Sequence, residues 1–168
     1  EIKKTLFNKI EKYRKKNSII SSNTSGIPIN QMTQGRSDDF CKNFCGTHFF
    51  NPPRYLKLLE IIPSQKTNPD LINFLMSYGE KFLGKKTVLC KDTPAFIANR
   101  IGIAGIASLF NIIKEIDLSI EEIDTLTGTI IGRPKSATFR TCDLVGLDTL
   151  NKVAKGVYEN CSNDENRN

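Results

Sequence analysis

The sequence predicts an α/β fold followed by an all-α one. Short runs rich in β-branched and aromatic residues alternate with helical stretches as far as Cys90. No strand pattern recurs after Asp92. A length of 168 residues with 39% hydrophobic composition is enough for an ordinary buried core.

From Ile2 through Leu6, Phe7, Ile10 and Tyr13 the apolar residues recur at helical spacing, and lysines fill the other face. Ser18 to Ser22 is short and bounded by polar residues, which suits a buried strand delivering Asn23, Thr24 and Ser25 to its carboxyl end. Gly26 and Pro28 stop it. A second strand is expected from Phe44 to Phe50, ended by Pro52 and Pro53 because proline donates nothing to a ladder. A third runs from Leu58 to Ile62. The next helix is capped by Asn68, carries Pro69 in its first position and lines up Leu71, Phe74, Leu75, Tyr78 and Phe82 before Gly84. Thr87 to Cys90 is a last strand. This alternation predicts a mostly parallel sheet, with ligand-binding groups beyond the carboxyl ends of its strands.

Helix is expected from Phe96 to Lys114, with Gly102 and Gly105 serving close packing. Ser119 and Glu122 form a capping box for another helix, stapled by Leu118 and Ile123. Gly132 and Pro134 interrupt. Ser136 then caps a last helical region whose apolar face includes Phe139, Leu144, Leu147 and Leu150. The polar stretch from Asn160 to Asn168 is expected to be disordered. The domains are therefore set at 1–94, 95–159 and a tail, 160–168.

A net charge of +6 comes partly from Lys3, Lys4, Lys9, Lys12, Arg14, Lys15 and Lys16. Aromatic residues for base stacking are nearly absent from that block, so it reads as a solvated face and no nucleic-acid partner is expected. The most apolar stretch, Ile101 to Phe110, is too short for a bilayer, and no membrane span is predicted. Cys41, Cys45, Cys90, Cys142 and Cys161 are odd in number and lack Cys-x-x-Cys spacing, which points to reduced thiols and no metal site. The chain opens at Glu1 on a helix, without an initiator Met or a leader, and reads as a fragment.

The residue with the clearest chemistry is His48, the only histidine. It lies between Thr47 and Phe49 near the end of a predicted strand, and Glu60 falls in the next one. A carboxylate accepting from one ring nitrogen fixes the tautomer, stabilises imidazolium and suits the other nitrogen to general-base work. A lone histidine beside aromatics is also compatible with a satisfied core residue.

Five strings decide between these. Ser22-Asn-Thr-Ser25, Gly46-Thr-His48-Phe-Phe-Asn51-Pro, Lys57-Leu-Leu-Glu60-Ile-Ile, Lys91-Asp-Thr-Pro94 with Phe96-Ile-Ala-Asn99-Arg100, and Asp143-Leu-Val-Gly-Leu-Asp148 resemble the L-3-hydroxyacyl-CoA dehydrogenase family in order and spacing. The stretches from Asn51 to Lys57 and from Gly132 to Arg140 look closest to the bacterial multifunctional branch, in which an enoyl-CoA hydratase is fused. The resemblance implies the last part of a Rossmann-like NAD-binding sheet joined to a helical substrate and dimerisation domain, with the active site between them. It implies NAD as cofactor and an acyl-CoA substrate oxidised in fatty-acid β-oxidation. His48 would be the base and Glu60 its partner. Ser25 and Asn99 would meet the substrate, and Lys3, Asn23, Ser25 and Asn51 the cofactor. A cytoplasmic location is implied, or a mitochondrial or peroxisomal one in a eukaryote.

Two departures qualify this. Ala95 stands where many members of the family have glycine, which implies strain if the position needs positive φ. The family's Gly-x-Gly-x-x-Gly turn is also missing from the sequence, so the chain alone is expected to bind NAD weakly or not at all. The alternative reading is an inert fragment that acts as a dimerisation or binding module, including a homodimer through the helical domain.

Overall fold

The computed structural model describes residues 2–164 and divides between Ile97 and Ala98 into two compact units. The first contains α1 (Ile2–Tyr13), β1 (Ile20–Ser22), α2 (Ile29–Thr33), α3 (Asp38–Lys42), β2 (Phe44–Phe49), β3 (Leu58–Pro63), α4 (Pro69–Lys81) and β4 (Lys86–Leu89). The strands lie in sequence order, β1-β2-β3-β4.

Two of the three pairings, β1 with β2 and β3 with β4, are parallel, whereas β2 and β3 are antiparallel. The reason lies in the connections. A parallel return needs a crossover of about a dozen residues or more. The β1–β2 and β3–β4 links have room for helices, but residues 50–57 do not, and the chain turns straight back through a cis Asn51-Pro52 bond.

Period-two alternation sorts the strand residues onto two faces. Ile20, Phe44, Ile62 and Cys90 pack with Phe7, Ile29, Phe40 and Phe96 on one face, whereas Cys45, Leu59 and Ile61 pack with Leu71 on the other. The rings of Phe7, Phe40 and Phe44 meet at centroid distances of 5.2–5.8 Å. Each such buried side chain contributes about 1.5–3 kcal/mol relative to an exposed one. Gly46 lies beneath α2: a Cβ there would come within 2.8 Å of Ile29 Cδ1 and 3.1 Å of Ile62 Cβ, so the glycine admits the helix onto the sheet.

The short helices α2 and α3 are absent from the sequence reading. Each is only five residues long, too short for periodicity to show. Ser37 caps α3 locally. The anchor of α2 is remote: the Asp92 carboxylate accepts the Ile29 and Asn30 backbone N–H groups at 2.8 Å each.

The second unit contains α5 (Ala98–Ile113), α6 (Ile120–Leu126), a 3-10 turn (Thr129–Ile131), α7 (Phe139–Val145) and α8 (Leu147–Asn160). The Ser119–Glu122 capping box forms as the sequence indicates. Ser136 does not cap α7. Its hydroxyl bonds Thr141, and the α7 amino end is held by Asp124, whose carboxylate accepts from the Thr138, Phe139 and Arg140 N–H groups at 3.1, 2.6 and 3.0 Å. A carboxylate from α6 reaches these amides, and local sequence contains no trace of that approach.

Leu144 and Leu147 are exposed rather than part of an apolar core face. A Cβ at Gly102 or Gly105 would meet no atom within 4 Å, so close packing does not account for these glycines. Asn160 closes α8, Cys161 is buried and Asp164 pairs with Arg100. Residues 165–168 of that expected tail lie outside the described residues. Among the described residues, no helix is long and apolar enough to cross a membrane.

Candidate active site

The antiparallel register of β2 and β3 puts His48 directly opposite Glu60. Side chains at such a pair leave the sheet on the same face with Cβ atoms about 4.5–5.5 Å apart. The pair closes to a hydrogen bond of 2.7 Å between His48 Nδ1 and Glu60 Oε2. Both residues are buried, His48 at 3% exposure and Glu60 at 0%. A buried charge is tolerated only when its oxygens are bonded, and both are: Glu60 Oε1 accepts the Ile97 N–H at 3.0 Å. With Glu60 ionised the carboxylate only accepts, so in the neutral imidazole Nδ1 would carry the hydrogen and Nε2 would present its lone pair.

Two rings wall the imidazole, Phe50 at a centroid distance of 4.4 Å and Phe96 edge-on at 5.7 Å. Cys90 is close enough to interact with Glu60. Burial first, then the Glu60 charge and a hydrogen bond to it, push the Cys90 thiol up to about 12. The group therefore stays a neutral thiol beside the carboxylate. Apart from His48, Glu60 and the neighbouring Phe50, the sequence reading missed the parts that hold this pair: the Ile97 amide, the Cys90 thiol and the Phe96 ring.

Ala95 has φ +59° and Phe96 φ +53°. The conformation that glycine would adopt freely is thus imposed on two successive L-residues, at about 1–2 kcal/mol each. The expectation attached to Ala95 is met, and the strain extends one residue further.

Three of the other sequence candidates, Asn23, Ser25 and Asn51, follow the carboxyl ends of β1 and β2. Ser25 follows β1 and is exposed, as is Asn51 beyond β2. Asn23 lies between β1 and Ser25, and its Oδ1 accepts the Phe49 N–H at 2.9 Å, tying that loop to the end of the histidine strand. Lys3 is on the first turn of α1 and half-buried. Asn99 belongs to α5 of the second unit. Among the described residues no His/Cys/Asp/Glu cluster has metal-ligating geometry.

The mixed sheet, the helical second unit and the buried imidazole–carboxylate pair at the end of a strand define a protein of the dinucleotide-binding dehydrogenase class. Residues 1–93 match the model for the 3-hydroxyacyl-CoA dehydrogenase NAD binding domain, and residues 96–168 match that for the C-terminal domain of the same enzymes. The chain belongs to the 3-hydroxyacyl-CoA dehydrogenase family. It is 54% identical over 98% of its length to a protein of Bacillus subtilis named "Probable 3-hydroxyacyl-CoA dehydrogenase", of which it covers 21%. A Rickettsia felis protein, "Putative fatty acid oxidation complex trifunctional enzyme", is 36% identical over 94% of the chain, which spans 22% of it. Similarity to this multifunctional relative is thus the weaker of the two. The crystal structure of the (S)-3-hydroxybutyryl-CoA dehydrogenase of Ralstonia eutropha superposes with a TM-score of 0.85 at 30% identity, covering 99% of this chain and 57% of that one. The chain therefore spans only part of each of these relatives.

Proposed function

We propose that the chain is the part of an NAD-dependent L-3-hydroxyacyl-CoA dehydrogenase that supplies the catalytic base. His48 Nε2 takes the proton of the substrate 3-hydroxyl as hydride leaves C3, giving the 3-oxoacyl-CoA. Glu60, hydrogen-bonded to Nδ1, keeps the ring in the tautomer that can accept and stabilises the imidazolium once formed. The observation that carries this reading is the 2.7 Å bond between Nδ1 and a fully buried carboxylate.

NAD, when bound, supplies the hydride acceptor. The residues of this chain suit its nicotinamide end: Ser25 and Asn51 are exposed polar groups at the carboxyl ends of two adjacent parallel strands, and Asn23 braces the loop between them. Lys3 would meet the cofactor from α1, and Asn99 would offer its amide to the acyl-CoA. The sequence contains no Gly-x-Gly-x-x-Gly turn, so a pyrophosphate cradle has to come from other chain. Five free cysteines among the described residues support a reducing compartment such as the cytoplasm.

The test is His48→Gln in the whole protein. General-base catalysis contributes about 10²-fold or more, so kcat should fall by at least that factor. A variant retaining rate within about tenfold would remove His48 from this role.

A second reading, a dimerisation or binding module, is favoured by the apolar side chains that the helical unit exposes, including Ile101 at 67%, Leu144 at 71% and Leu147 at 65%. Light scattering separates the two: a dimer without NAD turnover supports the module, while turnover restored by added nucleotide-binding protein supports the enzyme.

A further inference from the structure

We propose that the left-handed pair Ala95–Phe96 is the positioning element of the catalytic couple, holding Glu60 through the Ile97 amide and His48 through the Phe96 ring. This rests on the reading of His48 as the base. Both act through Glu60 and His48, so both are positioning residues.

Two consecutive L-residues at φ +59° and +53° are held against their own preference, and such conformations persist only where the surroundings over-determine them. Both residues are buried, and the turn is closed by the Phe96 N–H bonded to Thr93 O at 3.1 Å. The next peptide is the one whose N–H meets Glu60 Oε1 at 3.0 Å. Glu60 Oε2 is already bonded to His48 Nδ1, so the amide fixes the second oxygen and with it the rotation of the carboxylate. The Phe96 ring, edge-on at 5.7 Å, blocks one side of the imidazole while Phe50 covers another at 4.4 Å. One strained turn therefore sets two degrees of freedom: the carboxylate torsion and the ring plane. A peptide N–H has no side chain to substitute, which is why no inspection of residue types at the site reveals it.

The experiment uses the whole protein, labelled with 15N. His48 is the chain's only histidine, so its two ring nitrogens can be picked out by introducing His48→Gln. In mildly alkaline solution the wild type is expected to show one protonated nitrogen, Nδ1, and one bare nitrogen, Nε2, with well-separated resonances. Ala95→Gly, at ease with positive φ, should preserve that separation. Ala95→Val, whose branched side chain opposes it, should draw the two resonances together as the tautomers mix, and should lower kcat about tenfold or more with KM little changed.

A folded Ala95→Val protein with wild-type nitrogen resonances and kcat overturns the proposal. Should that variant fail to fold, the Ile97 amide of the wild type decides. Hydrogen exchange as slow as that of the β2 and β3 core amides supports the proposal, and exchange at the rate of a surface amide overturns it. A His48→Gln enzyme that keeps its turnover, with the nitrogen resonances of the Ala95 series behaving as expected, would instead sink the base role alone.

Discussion

Replacing Glu60 by alanine removes the partner of two donors at once, the buried His48 Nδ1–H at 2.7 Å and the part-buried Ile97 N–H at 3.0 Å. A fully buried donor left without an acceptor costs about 1–3 kcal/mol and a part-buried one less, so the two together cost at most about 2–6 kcal/mol. A domain has only about 5–15 kcal/mol in hand, so Glu60→Ala should come close to unfolding the first unit. Glu60→Gln keeps the shape and one acceptor oxygen while turning an NH2 group on the other donor, so it should cost roughly half as much. Urea unfolding followed by circular dichroism measures both, with the slope compared so that a change in midpoint is read as stability. If both variants unfold within about 0.5 kcal/mol of the wild type, the range of an unremarkable surface substitution, the buried pair does not carry the energy assigned to it.

Two further perturbations follow from the same kind of geometry. Asp124→Ala deprives three amino-terminal amides of α7 of their acceptor, and a loss of about 1–2 kcal/mol is expected in the second unit, whereas Ser136→Ala should cost less; the reverse order in thermal unfolding would contradict the capping scheme. Burial pushes the Cys45 thiol up to about 12 from an ordinary value of 9.0, and Cys90 likewise, burial being aided there by Glu60. The folded state therefore holds these protons after the unfolded chain has released them. Stability should be fully present below pH 9 and fall as pH rises toward 12. Replacing Cys45 with alanine should flatten that alkaline slope, and an unchanged slope in urea titrations across this range would refute the assignment.

The His48 strand, the Glu60 strand and the Ser119–Glu122 box were legible because each is written in a few neighbouring residues: alternation, a proline stop, a cap and its partner three positions on. Five ordered strings also pointed to the family. What stayed hidden was set by groups distant in the chain. Asp92 anchors α2 from 62 or 63 positions away, and Asp124 caps α7 from 14 to 16. The exposure of Leu144 and Leu147 was equally out of reach, because helical spacing fixes which residues share a face but not which face is covered.

By itself, then, the sequence determined the types of the longer elements, the family and the identity of the two groups that make the buried pair. Tertiary structure decided that β2 and β3 run in opposite directions, which puts imidazole and carboxylate face to face. It also decided that a strained turn aims a peptide N–H at the same carboxylate. The reason is physical: local preference follows from neighbours along the chain, while strand register and a backbone donor's direction are fixed only when distant segments pack and exclude water between them.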